Sequence, residues 1–135
     1  FEPKVAFVSH STFGQPLTNR TKHIRKAVEI LKEQNVDFEF DGDVQPDVAL
    51  NSEYEELYPF SKIVGKANIL IMPGQHSAAI SYKMMKELGD TKVIGPLLIG
   101  LGLPIEIAPL RSSTSELINL ASIAAYSADV IDYKK

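Results

Sequence analysis

Two short apolar runs, Lys4–Val8 (KVAFV) and Ile69–Met72 (ILIM), each open into a polar loop and then into a segment of helical period. A strand buried on both faces reads as a continuous apolar run, whereas a strand with one wet face alternates. Runs of this kind, separated by helices, predict a parallel or mostly parallel sheet covered on both faces. The loop after Val8 carries Ser9, His10, Ser11, Thr12 and Gly14, and the loop after Met72 carries Gly74, Gln75, His76 and Ser77. In open α/β sheets ligands sit at that carboxyl edge of the strands.

Between these runs, residues 18–34 place Ile24, Ala27, Val28 and Leu31 at helical spacing, with Arg20, Lys22, His23 and Arg25 turned outward as a solvated face. Asp37–Phe40 predicts a short strand, and Asp41, Asp43 and Asp47 follow it. Their spacing lacks the alternation and closing Glu of a calcium loop, so a turn and a short helix over Pro46–Leu50, with Pro at the first position, is preferred to a metal. Ser52–Leu57 predicts another short helix, and Ser77–Leu88 a longer one. Lys92–Ile94 and Pro104–Ala108 are expected as further strands, and Tyr126–Lys135 as a frayed or docking tail. The last helix is expected to open at Ser113, because Glu116 three positions on gives the capping-box spacing. Arg111, Ser112, Ser113 and Thr114 would then stand at a helix N-terminus, where they either hold a phosphate or carboxylate or simply cap the helix.

Composition removes several chemistries. The absence of cysteine excludes disulfides, thiolate nucleophiles and thiolate-held metals together, and fits a cytoplasmic setting. A net charge of -3 argues against nucleic acid, whose phosphates require clustered Lys and Arg. No run of eighteen apolar residues suggests a membrane span. His10, His23 and His76 form no recognisable triad, and neither a Walker A sequence nor G-x-G-x-x-G occurs. At 135 residues one domain is expected, and the start at Phe1 rather than Met is expected of a domain cut from a longer chain. Residue chemistry alone therefore leads to an α/β domain whose polar edge could hold an anion.

Six stretches resemble, in order and spacing, the phosphate acetyl/butyryl transferase family: KVAFVSHSTFG (4–14), DGDVQPDVALN (41–51), PFSKIVGKANILIMP (59–73), ISYKMMKELG (80–89), IGPLLIGLGLPI (94–105) and ELINLASIAA (116–125). The resemblance spans almost the whole chain. It implies a three-layer α/β/α sandwich with a mostly parallel sheet, like that of isocitrate and isopropylmalate dehydrogenases, and a cleft for coenzyme A or its acyl ester.

The departures from the family pattern carry the functional expectation. Where active transferases have a Ser-Arg pair, this chain has Pro109-Leu110, and the position of the base thought to deprotonate the CoA thiol is Glu116 instead of Asp. A second family arginine corresponds to Glu87, and a Gly-Asn pair to Ala78-Ala79. Acyl phosphate is an anion, and each lost donor to such a group costs about 3 to 4 kcal/mol of transition-state stabilisation elsewhere. These losses and the S-H-S-x-F-G loop at Ser9–Gly14 are similar to the C-terminal transferase-like domain of large bacterial NADP-dependent malic enzymes.

That resemblance implies a noncatalytic domain that binds acetyl-CoA or CoA and forms a homodimer or higher homo-oligomer. NADP, a divalent metal and the decarboxylation of malate would belong to a catalytic part outside this sequence. From loop position, Ser9, Ser11, Thr12, Asp43, Gln45, Arg111, Ser112 and Ser113 are the expected ligand contacts, with no catalytic or metal-ligating residue. Two alternatives stand beside it: an acyltransferase with Glu116 as base and Arg111 as anion clamp, and a dimerisation module whose ligand site has decayed.

Overall fold

In the computed structural model, which describes residues 1–90 and 92–132, β1 (Lys4–Val8) is the middle strand of a three-stranded sheet ordered β2-β1-β3. β2 is Glu39–Val44 and β3 is Ile69–Ile71. Both pairings are parallel, with Val5 opposite Phe40 on one side and Ile69 on the other. Parallel neighbours need long crossovers, and α1 (Asn19–Glu33) supplies the first. The helices α2 (Pro46–Leu50), α3 (Gln75–Leu88) and α4 (Thr114–Asp132) follow, with a 3₁₀ turn at Ser52–Leu57. The chain packs as two units, Phe1–Ser81 and Tyr82–Lys135.

The pleat of β1 divides the core of the first unit in two, because successive side chains leave opposite faces of a strand. Val5 packs with Val28 of α1 and Phe40 of β2, and Leu31 and Ile69 cover the edge of that cluster. Ala6 packs on the other face with Val44, Ala49, Ile63 and Ala67. The expected amphipathic helix is therefore present with Val28 at its centre. Its start is fixed by a reciprocal cap in which Thr21 N donates to Thr18 Oγ1 at 3.3 Å and Thr18 N to Thr21 Oγ1 at 2.8 Å. Threonine here takes the part usually played by Glu or Gln.

Three expectations need correction. β2 starts later than Asp37–Phe40 and runs through Asp41, Gly42 and Asp43, residues usually depleted in strands. They are tolerated because both carboxylates accept hydrogen bonds and because Gly42 lies against β1 where a side chain would not fit. Lys92–Ile94 and Pro104–Ala108 are not strands. The second segment is flanked by Pro104 and Pro109, which lack N–H donors, and Ile105 and Ile107 are each 53% exposed, so it is not a buried ladder. Finally, α4 runs through the expected tail as far as Asp132, and the rest of that tail, 133–135, lies outside the described residues.

A Cβ built on Gly42 would stand 2.7 Å from both the Cβ and the carbonyl oxygen of Phe7, and the latter belongs to a paired strand that cannot recede. Gly42→Ala is expected to cost about 2 to 3 kcal/mol, seen as a lower urea midpoint with an unchanged slope.

Candidate functional site

The polar centre of the first unit is made by an irregularity in β2. Phe7 pairs with Gly42 and Val8 with Val44, so Asp43 is the extra residue of a bulge. Bulges re-aim a side chain away from the ladder. Asp43 is fully buried, and its Oδ2 accepts hydrogen bonds from the Ser11 hydroxyl and from Gly14 N at 3.2 Å. Its backbone oxygen also accepts from Phe13 N at 2.6 Å. Oδ1 of the same carboxylate is buried and has no partner.

The neighbouring loop residues bind one another. Ser11 N donates to Ser9 Oγ at 3.3 Å, Gln45 N donates to Thr12 Oγ1 at 3.2 Å, and Gln45 Nε2 reaches the His10 carbonyl at 2.9 Å. Five of the residues expected at a ligand site, Ser9, Ser11, Thr12, Asp43 and Gln45, are thus brought together. Four of them are buried, and their hydrogen bonds hold the loop after β1 in shape. Asp41 has a separate task, accepting Lys62 N at 2.8 Å on Oδ2, so Asp41 and Asp43 are engaged individually.

Beside this loop a cleft of about 600 Å³ opens at the carboxyl ends of β1 and β3. Ser9 and His10 from the loop after β1 line it, as do Gly74, His76 and Ser77 around the start of α3. Arg20 and His23 of α1 line it too, although helical spacing placed them on a solvated face. Both are exposed, and spacing within one helix carries no information about which loop lies opposite.

The second unit holds the remaining expected contacts. Ser113 caps α4 as its spacing predicts: Glu116 N donates to Ser113 Oγ at 3.3 Å, and Ser113 N donates to Glu116 Oε2 at 2.7 Å. Ser112 Oγ donates to the Pro109 carbonyl at 2.8 Å. Arg111 is exposed and belongs to neither ion pair found among the described residues. Lys86 Nζ lies 2.9 Å from Glu116 Oε1, a partner that no local spacing signals. The bond to Lys86, with those from the backbone and hydroxyl of Ser113, draws the Glu116 carboxyl from its usual 4.5 down to about 2. The same pairing raises Lys86. The cavity around Pro109, Ser112 and Glu116 is about 20 Å³, room for little more than one water.

A parallel three-stranded α/β unit with its polar loops at the strand ends has the architecture of phosphotransacetylases. A phosphotransacetylase structure from Streptococcus pyogenes matches with a TM-score of 0.87 and 35% identity, covering 95% of this chain and 39% of that one. Residues 1–125 match the phosphate acetyl/butaryl transferase family, and the chain belongs to it. Similarity extends to two kinds of relative. The NADP-dependent malic enzyme of Rhizobium meliloti (strain 1021) is 51% identical over 128 residues, 95% of this chain and 17% of that protein. The phosphate acetyltransferase of Clostridium acetobutylicum is 34% identical, over 94% of this chain and 38% of that protein. The chain therefore spans well under half the length of these relatives.

Removing the buried acceptor orphans the Ser11 hydroxyl and Gly14 N–H, so Asp43→Ala should lower unfolding stability by about 2 to 4 kcal/mol. Asp43→Asn keeps one acceptor oxygen and should lose clearly less in the same urea titration. For Glu116 the folded carboxyl titrates below the unfolded one. Its contribution is therefore complete above about pH 4.5 and fades as pH falls toward about 2. The difference in thermal midpoint between the native chain and Glu116→Gln should shrink across that window and close at its acid end.

Proposed function

We propose that this chain is a regulatory and association domain that binds acetyl-CoA or CoA without transferring the acyl group. The observation that carries the proposal is the state of Glu116, the one carboxylate at the position of the family's base. A base is most useful when its pKa lies near the operating pH, and a thiol is normally half-ionised near pH 8.5. A carboxylate held at about 2 is a poor proton acceptor for such a group. Two oxygens already committed to Lys86 and to the helix N-terminus leave it little freedom to serve. Pro109 and Leu110 stand where a guanidinium would be needed.

In this proposal Ser9, Thr12 and Gln45, positioned by Ser11 and Asp43, are the contacts offered by the first unit; Arg111, Ser112 and Ser113, at the start of α4, are candidate contacts taken by themselves. The high identity to a malic enzyme supports a place in such a protein. The chain covers 17% of that malic enzyme, and NADP and a divalent metal are assigned to segments outside the sequence. Self-association draws support from the second unit, where Ile99 is 89% and Leu103 71% exposed, along with Leu97, Leu98 and Leu101. Apolar surface of that extent marks an interaction site. Among the described residues no helix is long and apolar enough to cross a membrane.

Family membership itself favours a second reading, acyl transfer between acyl phosphate and CoA with Glu116 as base and Arg111 as clamp. Mixing the chain with acetyl phosphate and CoA is expected to give no acetyl-CoA above the uncatalysed rate, while calorimetry with acetyl-CoA shows saturable heat in the micromolar to millimolar range. Turnover that disappears in Glu116→Gln would establish the transferase instead, and absence of heat would leave only the association role.

A further inference from the structure

Charge is unevenly placed along the first unit. Between Lys32 and Lys62 no Lys or Arg occurs, and the exposed 3₁₀ turn Ser52–Leu57 carries Glu53, Glu55 and Glu56. Phe13 lines two grooves: one with Glu55 and Tyr58, the other, of about 220 Å³, with Arg25, Lys32, Lys62 and Phe60. Glu29 and Asp41 also line the second, so its cations exceed its carboxylates by three to two, and Asp41 already accepts from the backbones of Gly42 and Lys62. Neither ion pair among the described residues uses these three cations or Glu55. An aromatic cluster bridges the grooves, with the Phe13 ring 5.5 Å from Tyr58 and 4.9 Å from Phe60. Phe60 is nonetheless 64% exposed, and nearby Leu57 66%. Rings gathered at a surface form the centre of many protein contacts, because they bury a large area at small entropic cost.

We propose that this patch is an isologous interface whose occupant is a second copy of the chain. A surface that is cationic at one end, aromatic in the middle and anionic at the other complements itself after a half turn. With the twofold axis over the ring cluster, Glu55 of each copy enters the basic groove of the other, and every contact is made twice. The rings supply apolar area, while the charges set register and orientation. A second copy is favoured over an unrelated acidic protein because the complementary end belongs to the same patch, on the opposite side of Phe13. The interface uses none of the residues assigned to acyl-CoA and no part of the second unit. It rests on the self-association reading and gives it a contact of different character, ionic and salt-sensitive where the exposed leucines are apolar.

Sedimentation equilibrium of the chain near neutral pH reads the contact. Raising NaCl from about 50 to about 500 mM is expected to weaken dimerisation about tenfold, because exposed charges are screened. Lys62→Glu and Glu55→Lys, both at exposed positions, should fold normally by circular dichroism, and each should dimerise at least about tenfold more weakly because like charges then meet twice. An equimolar mixture of the two variants should regain the native affinity. In the mixed dimer one contact is the native Lys62–Glu55 pair, and the other is the same pair with its charges exchanged. Phe60→Ser should weaken association at every salt concentration. A mixture that stays monomeric, or a native dimer indifferent to salt and to both reversals, overturns the interface. In the latter case association belongs to the exposed leucines of the second unit, and the self-association reading stands without this contact. A native chain that is monomeric at low salt overturns both and leaves the patch to an acidic partner of another sequence.

Discussion

One buried carboxylate organises the first unit. Asp43 leaves the β2 ladder as a bulge residue, and the Ser11 hydroxyl and Gly14 N–H converge on one of its oxygens. Charge-assisted hydrogen bonds of this kind are about twice as strong as neutral ones, and an unmatched buried charge is costly. The loop after β1 is therefore determined by β2, thirty-odd residues away in sequence, and the position of that loop sets one wall of the histidine-lined cleft. Sheet, loop and cleft form one chain of cause.

How much of this was legible follows from whether the signal was local. β1, α1 and the start of α4 are encoded by apolar spacing and by caps a few residues long, and the sequence predicted each close to its observed bounds. β2 was shortened because Asp41, Gly42 and Asp43 look like a turn to any count of propensities. Their place in a strand depends on Phe7, Ser11 and Lys62, contacts that exist only after folding. The reverse error occurred at Pro104–Ala108, where apolar composition suggested a strand that has no paired neighbour. The candidate site shows the same division: the clustering of Ser9, Ser11, Thr12, Asp43 and Gln45 was anticipated from loop position, but their inward-facing, mutually bonded state was not.

Glu116 is wired into the structure of the second unit. Its oxygens are occupied by Lys86 and by the first turn of its own helix. Glutamate reaches back to the cap because its side chain has one more methylene than aspartate. That added carbon lets the side chain fasten the start of its own helix. Family membership fixes the scaffold, while the wiring of individual side chains governs what it does.

The opposite face of β1 carries a different message. Ala6, Ala49 and Ala67 meet there, and their short side chains let the backbones approach until Ala67 N donates to the Ala49 carbonyl at 2.8 Å. Where those alanines meet, the layers touch at methyl scale, and a larger side chain would have to push them apart. Diversification of this scaffold is consequently channelled to the strand tips, where loops can lengthen or exchange residues without prying apart the layers beneath them.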